Sequence, residues 1–459
     1  MVQQQPVPLF EEVVNGYNKL SASGGTRKES SDLRKARQSA FEKFRELGFP
    51  SIRNEDWRFT NIAKFLKDEF SIEGLDAAAG GVAAVAAKPD AALLAKAIIP
   101  DLDCYRVVLV NGVWDGVIEG GNLPKGVTLL KVSDARQDPA LSGYFEKTLE
   151  LGDHPFAALN AALFSEGLFL RLDPGAAGDK PLHIVHVLNG ERNMLVQPRQ
   201  VWVVNKNAEF TVIESVVSGG ESKVWVNGLT EIHVAQDARL HHTMIQSAGS
   251  GARIVQHTTV KQKKQSLYNN FTFTVPGAEL VRNDLNARLE ESNTESHLYG
   301  LYLTAGQQLV DNHTLVDHQQ PHCMSNELYK GVLLEQSTGV FNGKVYVHRD
   351  AQKTNAFQQN NNLVISNKAT IDSKPQLEIF ADDVKCSHGS TVGQFSEESL
   401  FYLRARGIGE EAAKGLLINA FAFDVTEKIR IPEVELHINE LISYHIPSGN
   451  GNGHDTDQS

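Results

Sequence analysis

A chain of 459 residues is long enough for two or three domains with sizeable cores. Acidic residues outnumber basic ones by 56 to 44, a formal charge of −12. That balance argues against nucleic acid or an anionic membrane as the main partner, since both need a basic face. Three cysteines, Cys104, Cys323 and Cys386, lie far apart with no C-x-x-C, as expected in a reducing compartment without a disulfide framework. Met1 to Pro6 lacks a basic start followed by an apolar run, and no apolar stretch approaches ~20 residues. Neither a signal peptide nor a membrane helix is expected, which places the chain in the cytoplasm.

Residues 1 to about 75 read as helical. Leu33, Ala36, Ala40, Phe41, Phe44 and Leu47 recur at helical spacing, and Gly48 and Pro50 end the run. Trp57, Phe59, Ile62, Phe65 and Leu66 suggest a second short amphipathic piece that serves as local core. Residues 76–97, rich in Ala and Gly, read as a linker, a loop or a poor helix. Tyr105 to Val110 is a strand signal, followed by the turn pair Asn111-Gly112. Pro155 opens a helix running to Ser165, which closes a mainly helical N-terminal domain, 1–165.

From 166 to 395 helical periodicity nearly vanishes. Short runs such as Val201-Trp202-Val203-Val204 and Val345-Tyr346-Val347-His348 are separated by Asn, Gly, Asp and Lys. A small or polar pair precedes an apolar residue at Phe210, Leu240, Leu267, Leu289, Leu309, Val340 and Ile371. The intervals run roughly 20 to 31 residues, within the range of solenoid repeats. A sandwich or a stacked solenoid would accommodate so many strands. The irregular interval and the Asn-rich turns expected at Asn269-Asn270 and Asn360-Asn361-Asn362 favour a parallel β-helix.

The pattern turns helical again over 396–446. Ser396 is a good N-cap, with Glu397 and Glu398 in the first turn. Leu400, Phe401 and Leu403 give an apolar face, and Gly407 sits where a C′ glycine belongs. A second helix from about Glu410 places Ala413, Leu416, Leu417, Ala420 and Phe421 on one side, completing a hairpin. Pro432 opens a third helix with Val434, Ile438, Leu441 and Ile442. The polar stretch 447–459 is expected to be a disordered tail. The fold class is therefore mainly β, with helical regions on both sides of the solenoid.

One stretch concentrates chemistry: Ile379-Phe380-Ala381-Asp382-Asp383-Val384-Lys385-Cys386-Ser387-His388-Gly389. On a strand, Cys386 and His388 point the same way. Together they suit part of a soft metal site or a Cys–His nucleophile pair; the alternative is a buried Cys beside a hydrogen-bonded His. Gly389 would let the chain turn or admit something close. A second polar concentration runs from Asp311-Asn312-His313 through Asp317-His318 to His322-Cys323, either a metal site or a polar rung edge. Its spacing matches no zinc pattern. The chain has no G-x-x-x-x-G-K-[ST], no G-x-G-x-x-G between strand and helix, and no G-x-S-x-G. Iron–sulfur clusters usually want four thiolates, sometimes with imidazole replacing two. Any cluster built here must therefore borrow ligands from another chain.

From Ile371 to Gly393 the sequence closely resembles the signature of the SufB/SufD family of the SUF iron–sulfur cluster assembly system, on its SufD side. The likeness continues through Leu400-Phe401-Tyr402-Leu403-Arg404-Ala405-Arg406-Gly407-Ile408 and Leu416 to Phe421, and Trp57 and Phe156 to Asn160 also look like the family. The resemblance implies a right-handed parallel β-helix core flanked by N- and C-terminal helical regions. It implies a scaffold subunit, not an enzyme, that pairs with SufB through the β-helix. It implies docking of the SufC ATPase on the C-terminal helices, in which Leu400, Phe401, Arg404, Arg406, Gly407, Leu416 and Phe421 lie. His388 and Cys386 are then at a cluster-assembly interface, with His388 a metal ligand shared with the partner and the cluster held only transiently. Where SufB-type chains resemble a Cys-Asp-Ser and a Glu, this chain has Ile371-Asp372-Ser373 and Gly389, which fits the helper subunit. A homodimer is expected when SufB is absent, because a β-helix edge is otherwise open. The rival from another class is a secreted-type carbohydrate-active β-helix enzyme using Asp382 and Asp383, although adjacent strand residues point to opposite faces. A third reading is a structural scaffold with no ligand role.

Overall fold

The computed structural model describes residues 8–22, 30–72, 89–138, 141, 143–146, 154–164 and 166–446. From Gly167 onward the chain winds into a parallel β-solenoid of about eight turns, each giving one strand to each of two facing sheets. The first sheet runs from Thr370–Ile379 through Thr338–Val347, Leu309–His318, Leu280–Leu289, Ala252–Gln262, Val224–Val234 and Arg199–Val204 to Gly167–Leu172. The second runs from Lys385–Gly393 through Asn355–Val364, Met324–Leu333, Glu295–Thr304, Leu267–Thr274, Arg239–Ser247 and Glu209–Gly219 to Leu182–Asn189. Two strands from before residue 165 extend these sheets. Tyr105–Val110 lies parallel to Leu182–Asn189, and Val127–Lys131 lies antiparallel to Gly167–Leu172. Asn111 and Gly112, both at positive φ, make the hairpin turn into Val113–Trp114.

Register corrects the repeat. Glu209, Arg239, Leu267, Glu295, Met324, Asn355 and Lys385 stack in line, which by residue number gives steps of 30, 28, 28, 29, 31 and 30. The looser interval expected from sequence mixes the two sheets: Phe210, Leu240 and Leu267 lie in the second, Leu289, Leu309, Val340 and Ile371 in the first. Ile371 pairs with Gly339 rather than Val340. The Asn-rich runs are not turns. Asn269 and Asn270, and Asn360 to Asn362, sit inside strands, with Asn270, Asn360 and Asn362 buried. The chain turns instead at Asn207, Asp237, Gln265, Asn293, His322 and Lys353, all with φ between 57° and 62°. Each N–H bonds a carbonyl of the next turn, as in His322 N to Gln352 O at 2.9 Å. That ladder compensates for placing Gln, His and Lys in a left-handed conformation that favours Gly and Asn.

Inward residues, among them Trp202, Phe210, Tyr268, Tyr302, Tyr329 and Phe341, make one continuous core. The outer faces are apolar too, as in other parallel sheets, and helices cover them. Phe41, Phe44, Trp57, Phe65 and Phe156 pack on Trp225, Leu229, Val255 and Leu280 of the first sheet. Ile418, Val425, Val434, Ile438 and Ile442 of the C-terminal helices share a core with Ile213, Ile245, Phe273, Leu301 and Val332 of the second. The helix Ser31–Leu47 ends at Gly48 as its sequence predicts, but also buries Arg37, whose guanidinium bonds Ala162 O and Phe164 O at 3.0 and 2.9 Å. Around Trp57 the chain forms 3₁₀ turns, Glu55–Trp57 and Phe65–Lys67, rather than a helix.

The C-terminal helices are Glu397–Ala405, Glu410–Thr426 and Pro432–His445. Ser396 Oγ accepts from Ser399 N at 3.2 Å, and Gly407 has φ of 84°, so cap and stop lie where expected. In the second helix Ala413, Ile418, Ala422 and Val425 are buried, whereas Leu416 and Ala420 face solvent. This helix is apolar nearly all round, so its periodicity does not single out a face. Part of the 76–97 stretch, up to residue 88, and all of the 447–459 tail lie outside the described residues, while Ala91–Ala97 is helical. Among the described residues no helix is long and apolar enough to cross a membrane.

Candidate functional site

The solenoid ends on the strands Thr370–Ile379 and Lys385–Gly393, which among the described residues are each paired on one side only, with Thr338–Val347 and Asn355–Val364 respectively. Their free edges carry a row of unpaired backbone N–H and C=O groups. Register settles which way the last strand's side chains point. Cys386 aligns with Ala356, His388 with Gln358 and Ser390 with Asn360, and all three partners are buried inside the solenoid. Cys386 and His388 therefore share the inward face, as strand alternation predicts. Among the described residues no further turn covers them, and His388 is exposed and Cys386 half-buried.

Cys386 rests on a small apolar cluster of Val345, Val347, Ala351, Ala356 and Ala381. Burial pushes its thiol above the ordinary value, only partly offset by a backbone contact at Ala356. A reactive thiolate there needs help from a cation or metal. Ser373 Oγ meets Ser390 Oγ at 2.9 Å, tying the two terminal strands across the inside of the last turn, and bonds Asn360 Oδ1 at 2.8 Å. Gly389 is a mid-strand residue, not a turn, and a Cβ built on it would meet nothing within 4 Å. Asp382 and Asp383 lie in the loop between the strands rather than on one. Asp383 is engaged locally: it pairs with Lys353, and its N–H bonds Gln352 Oε1 at 2.9 Å.

The second polar concentration is dispersed by the fold. His313 faces outward, 3.0 Å from Asp311 Oδ1, while His318 faces inward and bonds Ser325 Oγ at 2.9 Å. Asp317 bonds His348 at 2.8 Å, His322 occupies a left-handed turn position, and buried Cys323 bonds Thr294 Oγ1 at 3.0 Å. Among the described residues no group of three or more His, Cys, Asp or Glu converges as a metal site.

The first C-terminal helix begins at Glu397, four residues after the terminal strand ends at Gly393. It buries no residue. Phe401 is 73% exposed and Leu416 50%, Arg404, Arg406 and Gly407 are exposed, and Leu400 is half-buried. Phe421 instead turns to the sheet: Lys330 Nζ sits 4.6 Å over its ring and donates to its carbonyl at 2.8 Å and to Asp424 at 2.5 Å.

Two polar networks escape a reading of the sequence. Outside the first sheet, Arg282 pairs with Asp311 at 2.6 Å and Asp284 at 2.8 Å, donates to Asp56 O, and stacks 3.9 Å over Trp57. It fastens the N-terminal region to the solenoid. Inside, Glu327 accepts from Thr314 Oγ1 and from Gln358 Nε2, the latter at 2.7 Å. Only alternation within a strand hints at such residues, and it does not say which strands become neighbours.

Residues 186–421 match the family model described as SUF system FeS cluster assembly, SufBD core domain, and residues 17–184 match the SufBD protein N-terminal region. The chain is 30% identical over 427 residues to an iron-sulfur cluster assembly SufBD family protein of Synechocystis, covering 90% of this chain and 91% of that one. It is 27% identical over 446 residues to the iron-sulfur cluster assembly protein SufD of Escherichia coli, covering 96% and 99%. With both halves matched and near full-length relatives of this kind, the chain belongs to the SufBD family of the SUF iron–sulfur cluster assembly system.

Proposed function

We propose that this chain is the SufD-type helper subunit of a SufB–SufC–SufD complex: a scaffold that pairs with SufB, docks the SufC ATPase and is not itself an enzyme. The observation that carries this reading is the open last turn, where one thiol and one imidazole share an inward face beside an unpaired strand edge. One thiol and one imidazole are half of a cluster's ligand set, so the cargo is built between Cys386, His388 and ligands of SufB. His388 is the metal ligand shared with that partner. The cluster is transient cargo rather than a resident cofactor. Without SufB the same edge pairs two copies of this chain.

The C-terminal helices support the second half of the reading. Phe401, Tyr402, Leu416, Phe423, Leu436 and Tyr444 are all at least half exposed, more apolar surface than an unpartnered helical hairpin needs. Closure of two docked SufC subunits on ATP pulls on helices that begin four residues after the strand bearing Cys386 and His388. The pull opens the edge at which SufB supplies its ligands. The local pairing of Asp383 and its loop position give the carbohydrate-active alternative no carboxylate pair to work with.

The test is co-purification with SufB and SufC from an anaerobic extract, followed by iron, sulfide and visible absorption measurements. Wild type runs beside Cys386→Ser and His388→Ala. Loss of iron or sulfide from the two variants, in complexes that still form, is the expected result. Equal cluster content in all three would reduce this subunit to a clamp for SufC, with the pair structural.

A further inference from the structure

Directly beneath His388 the solenoid holds a polar column. Glu327, Gln358 and His388 occupy the same register position on three successive strands of the second sheet, all on the inward face. Neighbouring strands lie ~4.8 Å apart, so Gln358 and His388 are adjacent positions on the same inward face. Glu327 and Gln358 are 3% and 1% exposed. Thr314 Oγ1 serves one carboxyl oxygen of Glu327 and Gln358 Nε2 the other, at 2.7 Å. With its amide nitrogen committed to an acceptor, Gln358 must turn its Oε1 away from Glu327. That Oε1 is buried and has no hydrogen-bond partner among the described residues. The opposite sheet makes room for the amide: a Cβ at Gly343 would fall 2.5 Å from Gln358 Nε2. Thus a glutamine whose orientation is fixed from below presents an unanswered acceptor beside an exposed imidazole.

Leaving a buried acceptor unpaired costs more than turning an exposed ring on its own side-chain torsions. We infer that Gln358, held in place by Glu327, is the positioning residue of His388: its Oε1 takes one ring N–H and leaves the other nitrogen's lone pair aimed out of the open end. Histidines that bind metals almost always donate their second N–H to a carbonyl or carboxylate, which fixes tautomer and ring plane. The functional consequence rests on the assembly role proposed for His388, whereas the hydrogen bond itself does not.

The test is ring-nitrogen NMR of the full chain carrying ¹⁵N-labelled histidine, with the His388 signals identified by their loss in His388→Ala. A single tautomer for His388 in wild type, relaxing to the mixture seen for free imidazole in Gln358→Met, is the expected result. A mixed tautomer in wild type overturns the inference without any variant. An unchanged spectrum in Gln358→Met overturns it as well. Glu327→Gln, which frees the Gln358 amide to flip, serves as the second variant and should weaken the tautomer preference. In the SufB–SufC complex, Gln358→Met should lower iron affinity about 10–100-fold. If His388 shows one tautomer but His388→Ala assembles clusters like wild type, the assembly role falls and the hydrogen bond stands. If His388 shows a mixed tautomer and His388→Ala assembles nothing, the hydrogen bond falls and the assembly role stands.

Discussion

Burial pushes the Glu327 carboxyl up to about 7, against the hydrogen bonds from Thr314 and Gln358 that pull it down. No cation is among these influences. A carboxyl with a raised folded value holds its proton longer in the fold than in the unfolded chain, so its contribution is full below about 4.5 and is lost as pH rises toward 7. The full difference corresponds to about 3 kcal/mol at most. Glu327→Gln should therefore flatten the fall in stability between pH 4.5 and 7, measured by urea unfolding at several pH values; an unchanged slope would show the carboxyl to be ionised already. Cys386 obeys the same physics at the edge. Its thiol lies above the ordinary value because of burial, so the chain alone should alkylate at this position more slowly at pH 7 than when unfolded, with the rate still climbing beyond pH 9. Mass spectrometry of alkylated peptides reads this directly, and fast labelling at pH 7 would mean a cation acts on the sulfur.

At the scale of elements, the C-terminal helices depend on a few aliphatic residues seated on the second sheet. Ile438 is fully buried among Val434, Ile442 and the outer face of the solenoid. Ile438→Ala should cost about 2–5 kcal/mol, felt first as loosening of these helices rather than of the solenoid. Limited proteolysis should then cut the connectors around 394–396 and 427–431 while the strands stay protected; cleavage throughout would mean helices and solenoid unfold as one unit. The same elements show what was legible in the sequence. Ser396, Gly407, Gly48 and the Asn111-Gly112 turn act within their own stretch of chain and read correctly. The shared face of Cys386 and His388 read correctly too, because alternation within one strand decides it. The column of Glu327, Gln358 and His388 joins residues 31 and 30 positions apart, and nothing in either strand states that register. The turns were hidden for a related reason: Gln265, His322 and Lys353 are held left-handed by the neighbouring turn, not by their own preference.

Taken whole, the molecule buries ionisable groups along its solenoid, which sets its acid stability. His183 near the first turns, His257 midway and His318 toward the open end are each driven to about 3, primarily by burial. A base with a depressed folded value is neutral in the fold but charges in the unfolded chain, so stability is full above about 6.5 and drains as pH falls toward 3. At pH 5 each such histidine costs about 2 kcal/mol, and three together roughly 6 kcal/mol. That is comparable to the whole stability of a typical domain, about 5–15 kcal/mol. Glu327 opposes this trend with a smaller term, since its contribution grows as pH falls toward 4.5. The chain should therefore unfold cooperatively in acid, near pH 4–5 by circular dichroism, well before most carboxylates are protonated. His318 offers the cleanest dissection, because burial alone accounts for its shift and its ring bonds the neutral hydroxyl of Ser325. His318→Asn should move the acid midpoint downward even if it lowers stability at pH 8. A midpoint that stays fixed would place the acid weakness in the carboxylate pairs of Arg282 instead, where Asp284 and Asp311 are held below the usual carboxylate range in the fold. Arg282→Met would then move the midpoint, because that network clamps the N-terminal helices to the solenoid and its loss would separate the two parts in acid.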